Sequence, residues 1–439
     1  MPSTHNFSGK LLEITTRFPW YSKLLPDLSS DSSVDHVIEV RTSPQELPLL
    51  TASILERYYY DAPPQHSSEL TVYRTSGTSS GKRKAIYYST QDDEHYIAVK
   101  TRLFADWLSG SKAAISNDHS GTTLPPYLPS IHKALSDMGT GHAASTAITI
   151  FERLGLEAAA LPYDQPIHEH IDKLDSYQPQ LLYTMPSILD RIVAAADNPS
   201  RFGVRKIILV GEIASPQWQD HIASKFHLTP VDILDTVGSI EIGTIAYYDH
   251  ELGRYVIAEG LYAETVPAEQ LGEGFEPLED NEGVLVLTSF IRSEFPALRY
   301  VTYDVVRDFE TYEVDGRILQ TFTCLSKRIG PELKHGEKIS LYDIEAAVLS
   351  LLPDATLKVQ VKQRLLQVQI QSPSLTDVLL LQLKEAIQQR IPEIGAMIES
   401  GILLDIEVLP MDNSFPQLPA SIKSKKITYE GGSSPDGSH

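Results

Sequence analysis

Cysteine is nearly absent from this chain: Cys324 is the single one in 439 residues, which excludes an internal disulfide framework and a cysteine-rich zinc site. Positive charge is also scarce, since 37 Lys and Arg against 58 Asp and Glu leave a formal charge of −21. Nucleic-acid backbones select basic faces, so such a chain is not expected to bind them. No uninterrupted apolar run is long enough to cross a membrane, and the start, MPSTHNFSGK, lacks the charged head and apolar core of a secretory signal. A cytoplasmic protein is therefore expected. Neither a GxSxG elbow nor a His-Glu-x-x-His helix occurs, which removes the commonest hydrolase readings.

What is present is the composition of an ordinary globular enzyme, 42% hydrophobic and 22% charged, long enough for roughly two or three domains. The chemistry concentrates at 71–89, TVYRTSGTSSGKRKAIYYS. Apolar and β-branched residues on both sides predict a strand, a polar loop and a strand. In the loop, glycines let the backbone approach a ligand, hydroxyls and N–H groups can surround phosphate oxygens, and Lys82, Arg83 and Lys84 balance their charge. Ser76, Gly77, Thr78, Ser79, Ser80, Gly81, Lys82 and Lys84 are thus candidates for gripping a triphosphate; a plain Ser/Gly-rich turn is the alternative. A Walker loop is excluded, because Gly77 and Gly81 enclose three residues rather than four and Arg83 follows Lys82.

Residues 1–60 read as helices punctuated at Pro19 and Pro48, and 91–110 as a helix with Tyr96, Val99, Leu103 and Trp107 on one face. Residues 131–135 and the Ala-rich stretch from Ala143 suggest further helix. Strands at 157–162, 181–183 and 206–210 then alternate with helices at 168–176 and 186–196, the pattern of a mostly parallel α/β sheet. After Gly243 short runs at 255–258 and 283–288 look antiparallel. A boundary falls near Ser326–Pro331, and the remainder predicts a small α+β domain: helix 343–352, strands 356–361 and 365–370, helix 375–390, strand 403–408. Two features carry less. His168 and His170 flank Glu169 without a third ligand nearby, so a solvated helical turn is expected; Cys324 sits in a strand with no base beside it.

Several stretches resemble, in order and spacing, the motifs of adenylate-forming enzymes, and the short chain resembles their phenylacetate–coenzyme A ligase-like branch. The 75–84 loop is similar to TSGTTGxPK. Thr184-Met185-Pro186-Ser187 and Gly211-Glu212-Ile213-Ala214-Ser215-Pro216 resemble the TPSYL turn and the GGEPLSP loop. Val237-Gly238-Ser239-Ile240-Glu241 resembles YGxTE; Pro296 to Asp304 resembles PLIRYRTGDL; Ser326-Lys327-Arg328 stands where the hinge lies; Leu418 to Lys425 resembles LPxTxxGK. Val237, Ile240 and Gly330 depart from an aromatic, a Ser or Thr, and the hinge Asp.

The resemblance implies an α/β fold with a large amino-terminal domain (1–328) of mostly parallel sheets plus an antiparallel subdomain, a small mobile α+β lid domain (329–429) and a tail (430–439). It implies ATP and Mg²⁺, with Glu241 as metal ligand and catalytic residue and Lys425 as catalytic lysine. Gly211, Glu212, Gly238, Asp304, Lys327 and Arg328 join the loop residues around ATP. The implied reaction activates a small, aryl or otherwise compact, carboxylic acid as its adenylate and transfers it to a thiol, coenzyme A first. Loading a carrier protein's phosphopantetheine, forming an amide, and an inactive nucleotide-binding regulator remain alternatives, and nothing in the sequence opposes a homodimer.

Overall fold

The computed structural model describes residues 4–25, 44–60, 69–74, 84–110, 131–138, 142–272, 274–275, 277–314, 316–330, 339–362, 364–399, 401, 403–411 and 427–430. Residues 75–83, which hold the phosphate-loop candidates from Ser76 to Lys82, and residues 412–426, which hold Lys425, lie outside them.

Helix α1 (Thr4–Arg17) buries Phe7, Leu11 and Ile14, spaced along one helical face, against the aromatic core that Tyr21 and Tyr59 also enter. A short α2 (Ala52–Leu55) widens into a π-helical turn at Glu56–Tyr60. Such a turn re-aims side chains and is frequent at functional sites. Strands β1 (Thr71–Arg74) and β2 (Ala85–Tyr88) pair antiparallel, as the flanks of the predicted strand–loop–strand should. Helix α3 (Thr90–Ser109) starts at a capping box, Ser89 with Asp92, and stops at Gly110 in the left-handed conformation, φ 63°.

The alternating region follows: β3 (Lys133–Asp137), α4 (His142–Arg153), β4 (Glu157–Ala160), α5 (Ile167–Tyr177), β5 (Leu181–Thr184), α6 (Pro186–Ala195), β6 (Lys206–Val210), α7 (Pro216–Phe226) and β7 (Ile233–Ser239). The helix expected at 131–135 is instead strand β3. Its four residues Ala134 to Asp137 are buried, and a strand covered on both faces loses the polar alternation that would have identified it. The turn at 168–170 is not wholly solvated either. His168 is exposed, but His170 is buried and bonded through Nδ1 to the buried Asp137 carboxylate on β3.

Beyond β7 the chain reverses into β8 (Gly243–Asp249) and β9 (Arg254–Ile257), then β10 (Leu261–Val266), β11 (Glu282–Ser289), β12 (Tyr300–Arg307), β13 (Glu310–Val314), β14 (Arg317–Phe322) and β15 (Cys324–Arg328). Among the described residues the large sheet runs β13-β14-β9-β8-β7-β6-β5-β3-β4, parallel from β7 to β4 and antiparallel elsewhere. A second sheet, β10-β11-β12-β15, is antiparallel. In the large sheet β3 and β5 are neighbours whose onward connections leave in opposite directions, toward β4 and toward β6. Ligands of open α/β sheets sit at the carboxyl ends of such a pair.

A small carboxy-terminal domain is built from α8 (Leu341–Leu351), β16 (Thr356–Lys362), β17 (Leu365–Gln371), α9 (Asp377–Arg390), α10 (Pro392–Glu399), β18 (Asp405–Pro410) and β19 (Ile427–Glu430). Its sheet runs β18-β17-β16-β19. Helix α8 docks it onto the large domain. Glu345 accepts the Ser215 N–H at 3.1 Å in front of α7, and Asp343 meets Arg307 of β12 at 2.7 Å. The overall α/β architecture expected from the sequence, with parallel and antiparallel sheets and a small carboxy-terminal domain, is the one observed.

Candidate active site

The turn between β7 and β8, Gly238 to Gly243, is clamped by its backbone. A Cβ on Gly238 would lie 2.7 Å from the Gly243 carbonyl oxygen, and Gly243, at φ +96°, leaves only 3.0 Å to the Tyr96 ring. Neither position admits a side chain without displacing backbone or a packed ring. The Ile240 carbonyl accepts the Tyr88 hydroxyl at 2.7 Å, and the Glu241 carbonyl accepts Arg292 Nε at 3.0 Å. With its main chain held on both sides, Glu241 presents a half-buried carboxylate.

Around that carboxylate the candidate residues converge. Burial pushes the Tyr300 phenol well above its usual range; Glu241 and Tyr60 add to the rise, Arg328 opposes it, and Asp304 adds again. Tyr60 is raised likewise, by burial first and by Glu241 next. Asp304 on β12 faces its register partner Arg328 on β15 with Oδ1 and Nη1 3.7 Å apart. Burial lifts the Asp304 carboxyl and Arg328 counters it. The Lys84 ammonium lies 4.8 Å from the Tyr60 ring centre and 3.0 Å from Glu56 Oε1. Lys84, Tyr60, Glu241, Tyr300, Asp304 and Arg328 are thus linked, each within electrostatic reach of the next, with the π-helical turn supplying Glu56 and Tyr60.

Three candidates, Lys327, Glu212 and Gly211, stand apart from these. Lys327 points to the opposite face of β15 from Arg328, as strand alternation requires, and its ammonium is 2.8 Å from the buried Glu282. Glu212 accepts both the backbone N–H and the hydroxyl of Ser187 at 2.8 Å, bridging the turn before α6 to the loop after β6. Gly211 opens that loop at φ 84°.

Sequence reasoning missed the residues that hold the linked groups in place. Arg292 is buried, pairs with the buried Asp92 at 2.6 Å, donates to the Tyr87 carbonyl at 2.9 Å and stacks its guanidinium carbon 3.7 Å from the Tyr88 ring centre. Asp92 also accepts the N–H groups of Ser293 and Glu294. His142 packs at tilted angles among the rings of Tyr73, Tyr88 and Tyr96, with centroids 4.1–4.5 Å away, while its Nε2 meets Asp93 at 2.8 Å. Burial nevertheless lowers its basicity. The Ser89-x-x-Asp92 spacing and His142 directly after Gly141 were the available signals; for Arg292 there was none.

Residues 334–412 match a family model described as the fumarate–diaminopropanoate ligase C-terminal domain. Across 399 residues the chain is 36% identical to fumarate–(S)-2,3-diaminopropanoate ligase of Enterobacter agglomerans, covering 91% of this chain and 93% of that one. The chain belongs to the fumarate–diaminopropanoate ligase family. A crystal structure of 2-hydroxyisobutyryl-CoA ligase, in the postadenylation state with R3-HIB-AMP, superposes at a TM-score of 0.68 with 13% identity, over 97% of this chain and 88% of that one. An open conformation of the same enzyme gives 0.57 with 15% identity, over 97% and 90%. This member of the fumarate–diaminopropanoate ligase family is therefore a ligase with the fold of the adenylate-forming superfamily, as its motifs led one to expect.

Proposed function

We propose that this ligase activates a compact carboxylic acid with ATP as the acyl-adenylate and then passes the acyl group to an amine, forming an amide and releasing AMP. The observation that carries the reading is the convergence of Glu241, Asp304, Arg328 and Lys84 around Tyr60 and Tyr300, within a chain whose relative is named for joining an acid to a diamino acid. Coenzyme A is the competing acceptor, and a carrier protein's phosphopantetheine the third.

In the first step a carboxylate oxygen attacks the α-phosphorus and pyrophosphate leaves; in the second an amine attacks the acyl carbon, AMP leaves and a proton is lost. Two anions have to be brought together in the first step, so cations and hydrogen-bond donors must compensate. Lys84, at the end of the phosphate-loop stretch, supplies one such cation, and residues 76–82 would surround the β- and γ-oxygens. Asp304, a buried-edge carboxylate, suits the ribose hydroxyls, with Arg328 opposing the rise that burial gives its carboxyl. Glu241 suits a hard divalent cation, because its half-buried carboxylate lies within electrostatic reach of Tyr60 and Tyr300 and Mg²⁺ needs only one or two carboxylates when phosphates complete its shell. Bound there, Mg²⁺ would neutralise phosphate charge. Gly211 and Glu212 would border the base, with Glu212 acting on the loop through Ser187.

The test is exchange of labelled pyrophosphate into ATP over a panel of acids that includes fumarate, followed by the acceptor. Exchange is expected only with a suitable acid, and the accumulated adenylate should release AMP on addition of (S)-2,3-diaminopropanoate and not of coenzyme A. Discharge by coenzyme A alone would replace the amide reading with the thiol one. ATP binding without exchange for any acid would leave a nucleotide-binding regulator.

A further inference from the structure

Tyr303, next to Asp304 on β12, has its backbone at φ +64°, in the left-handed region where so bulky a side chain is an outlier. The motif PLIRYRTGDL, which 296–304 resembles, has glycine at this place, and glycine adopts that conformation freely. The strand pairing slips at the same point. Val286 of β11 pairs with Val301 and Val284 with Val305, so Leu285 alone faces the three residues from Thr302 to Asp304. That is a bulge, the device by which a strand re-aims a side chain beside an active site, and Asp304 lies in it.

A strained backbone persists only where its surroundings hold it, and here the phenol is the handle. The Tyr303 hydroxyl accepts the Ala52 N–H at 3.0 Å, and the ring packs on Phe275. Ala52 opens α2, whose first N–H groups have no partner within the helix, and the side chain of Thr51 before it makes no cap. Tyr303 therefore caps α2 from a strand some 250 positions later. The main chain joins the same two segments one step earlier: the Leu50 N–H donates to the Arg299 carbonyl at 2.9 Å, and the Leu50 carbonyl accepts the Val301 N–H at 3.1 Å. From Ala52 the chain runs through α2 into the π-helical turn, where Glu56 pairs with Lys84 and lies within electrostatic reach of Tyr303. One phenol thus connects the Asp304 bulge to the turn that holds Lys84.

We propose, resting on the reading of Asp304 as the ribose ligand, that Tyr303 is a positioning residue: its bond to Ala52 fixes the Asp304 bulge against the π-helical turn, so that the ribose and the phosphates of one nucleotide are met together. A glycine at this place would keep the bulge and lose the tie.

The experiment compares pyrophosphate exchange with ATP and with 2′,3′-dideoxy-ATP, which lacks the hydroxyls that Asp304 would bind, in wild type, Tyr303→Phe, Tyr303→Gly and Ala52→Pro. Thr51 has the extended backbone that a following proline needs, φ −84° and ψ 164°, and proline suits the first position of a helix, so Ala52→Pro removes the donor without touching Tyr303. Wild type should favour ATP by about a hundredfold in kcat/KM. Each single variant should bring that ratio to about tenfold or less, chiefly through a higher KM for ATP. Ala52→Pro combined with Tyr303→Phe should do no more than either alone, because both remove one bond. The ratio is taken within each variant, so a smaller folded fraction does not alter it, and melting-temperature shifts with the two nucleotides read the same preference without any acid. A wild-type preference retained in Tyr303→Phe or in Tyr303→Gly, or additive losses in the double variant, overturns the proposal and leaves the ribose reading standing. Wild type indifferent to the missing hydroxyls removes the ribose reading and this inference with it.

Discussion

At the scale of single residues, the site region is built from polar groups whose burial controls their charge, and Asp235 on β7 makes the consequence measurable. Burial raises its carboxyl from 3.8 to about 7, although the Tyr255 hydroxyl donates to it. Between about pH 4 and 7 the folded protein holds a proton that the unfolded chain has released, so this group makes stability fall as pH rises through that window. His142 and His221 act in the other direction: burial lowers both below 6.5, so the unfolded chain is protonated first and stability falls as pH drops below that value. Asp235→Asn, which keeps an acceptor for Tyr255, should therefore stabilise the protein at pH 8 by on the order of 2 kcal/mol in urea unfolding and change little at pH 4. A variant no more stable than wild type at pH 8 would mean that Asp235 is ionised and compensated in the fold.

At the scale of elements, the clamp joining α3, β2 and the β7–β8 turn depends on a buried ion pair. Arg292 and Asp92 are 3% and 0% exposed in their side chains, and breaking such a pair from one side leaves a charge stranded. Arg292→Met should cost about 3–5 kcal/mol in chemical denaturation. The double variant Arg292→Met with Asp92→Asn should recover part of that loss but not pyrophosphate exchange, since the Glu241 carbonyl remains unheld. Recovery of both would reduce the clamp to packing. How much of this was legible follows the range of the interactions. Strand β6 was readable to the residue because Ile207 to Val210 form an unbroken apolar run between a basic start and a glycine, and Glu241 and Asp304 stand within stretches that resemble motifs. β3 was misread because a doubly covered strand carries no period. Arg292 was unreadable because its partners Tyr87 and Asp92 lie some 200 positions earlier, and nothing local marks such a residue.

At the scale of the molecule, the proposed reaction asks a chain of formal charge −21 to collect two anions, and the cations proposed to accept them come from distant parts of the sequence. Lys84 belongs to the large domain. Lys425, outside the described residues, belongs to the carboxy-terminal region, which docks through Glu345 on Ser215 and Asp343 on Arg307. Burial opposes ionisation of Asp343, but Arg307, Ser340 and Arg390 together hold its carboxyl below the usual range, so an ion pair is part of this docking. A lysine carried by that domain can serve one half-reaction and be withdrawn for the other. Lys425→Ala should then slow adenylate formation by a hundred- to thousandfold, roughly the 3–4 kcal/mol of a lost transition-state contact in a dry site. With chemically made acyl-adenylate the same variant should acylate the amine at near wild-type rate. Lys423→Ala and Lys426→Ala should leave both steps close to wild type. Sensitivity at Lys423 or Lys426 instead would shift the register of the tail, and full adenylation activity in all three would make this cluster a solvated surface and transfer the whole burden of charge compensation to the Lys84 side.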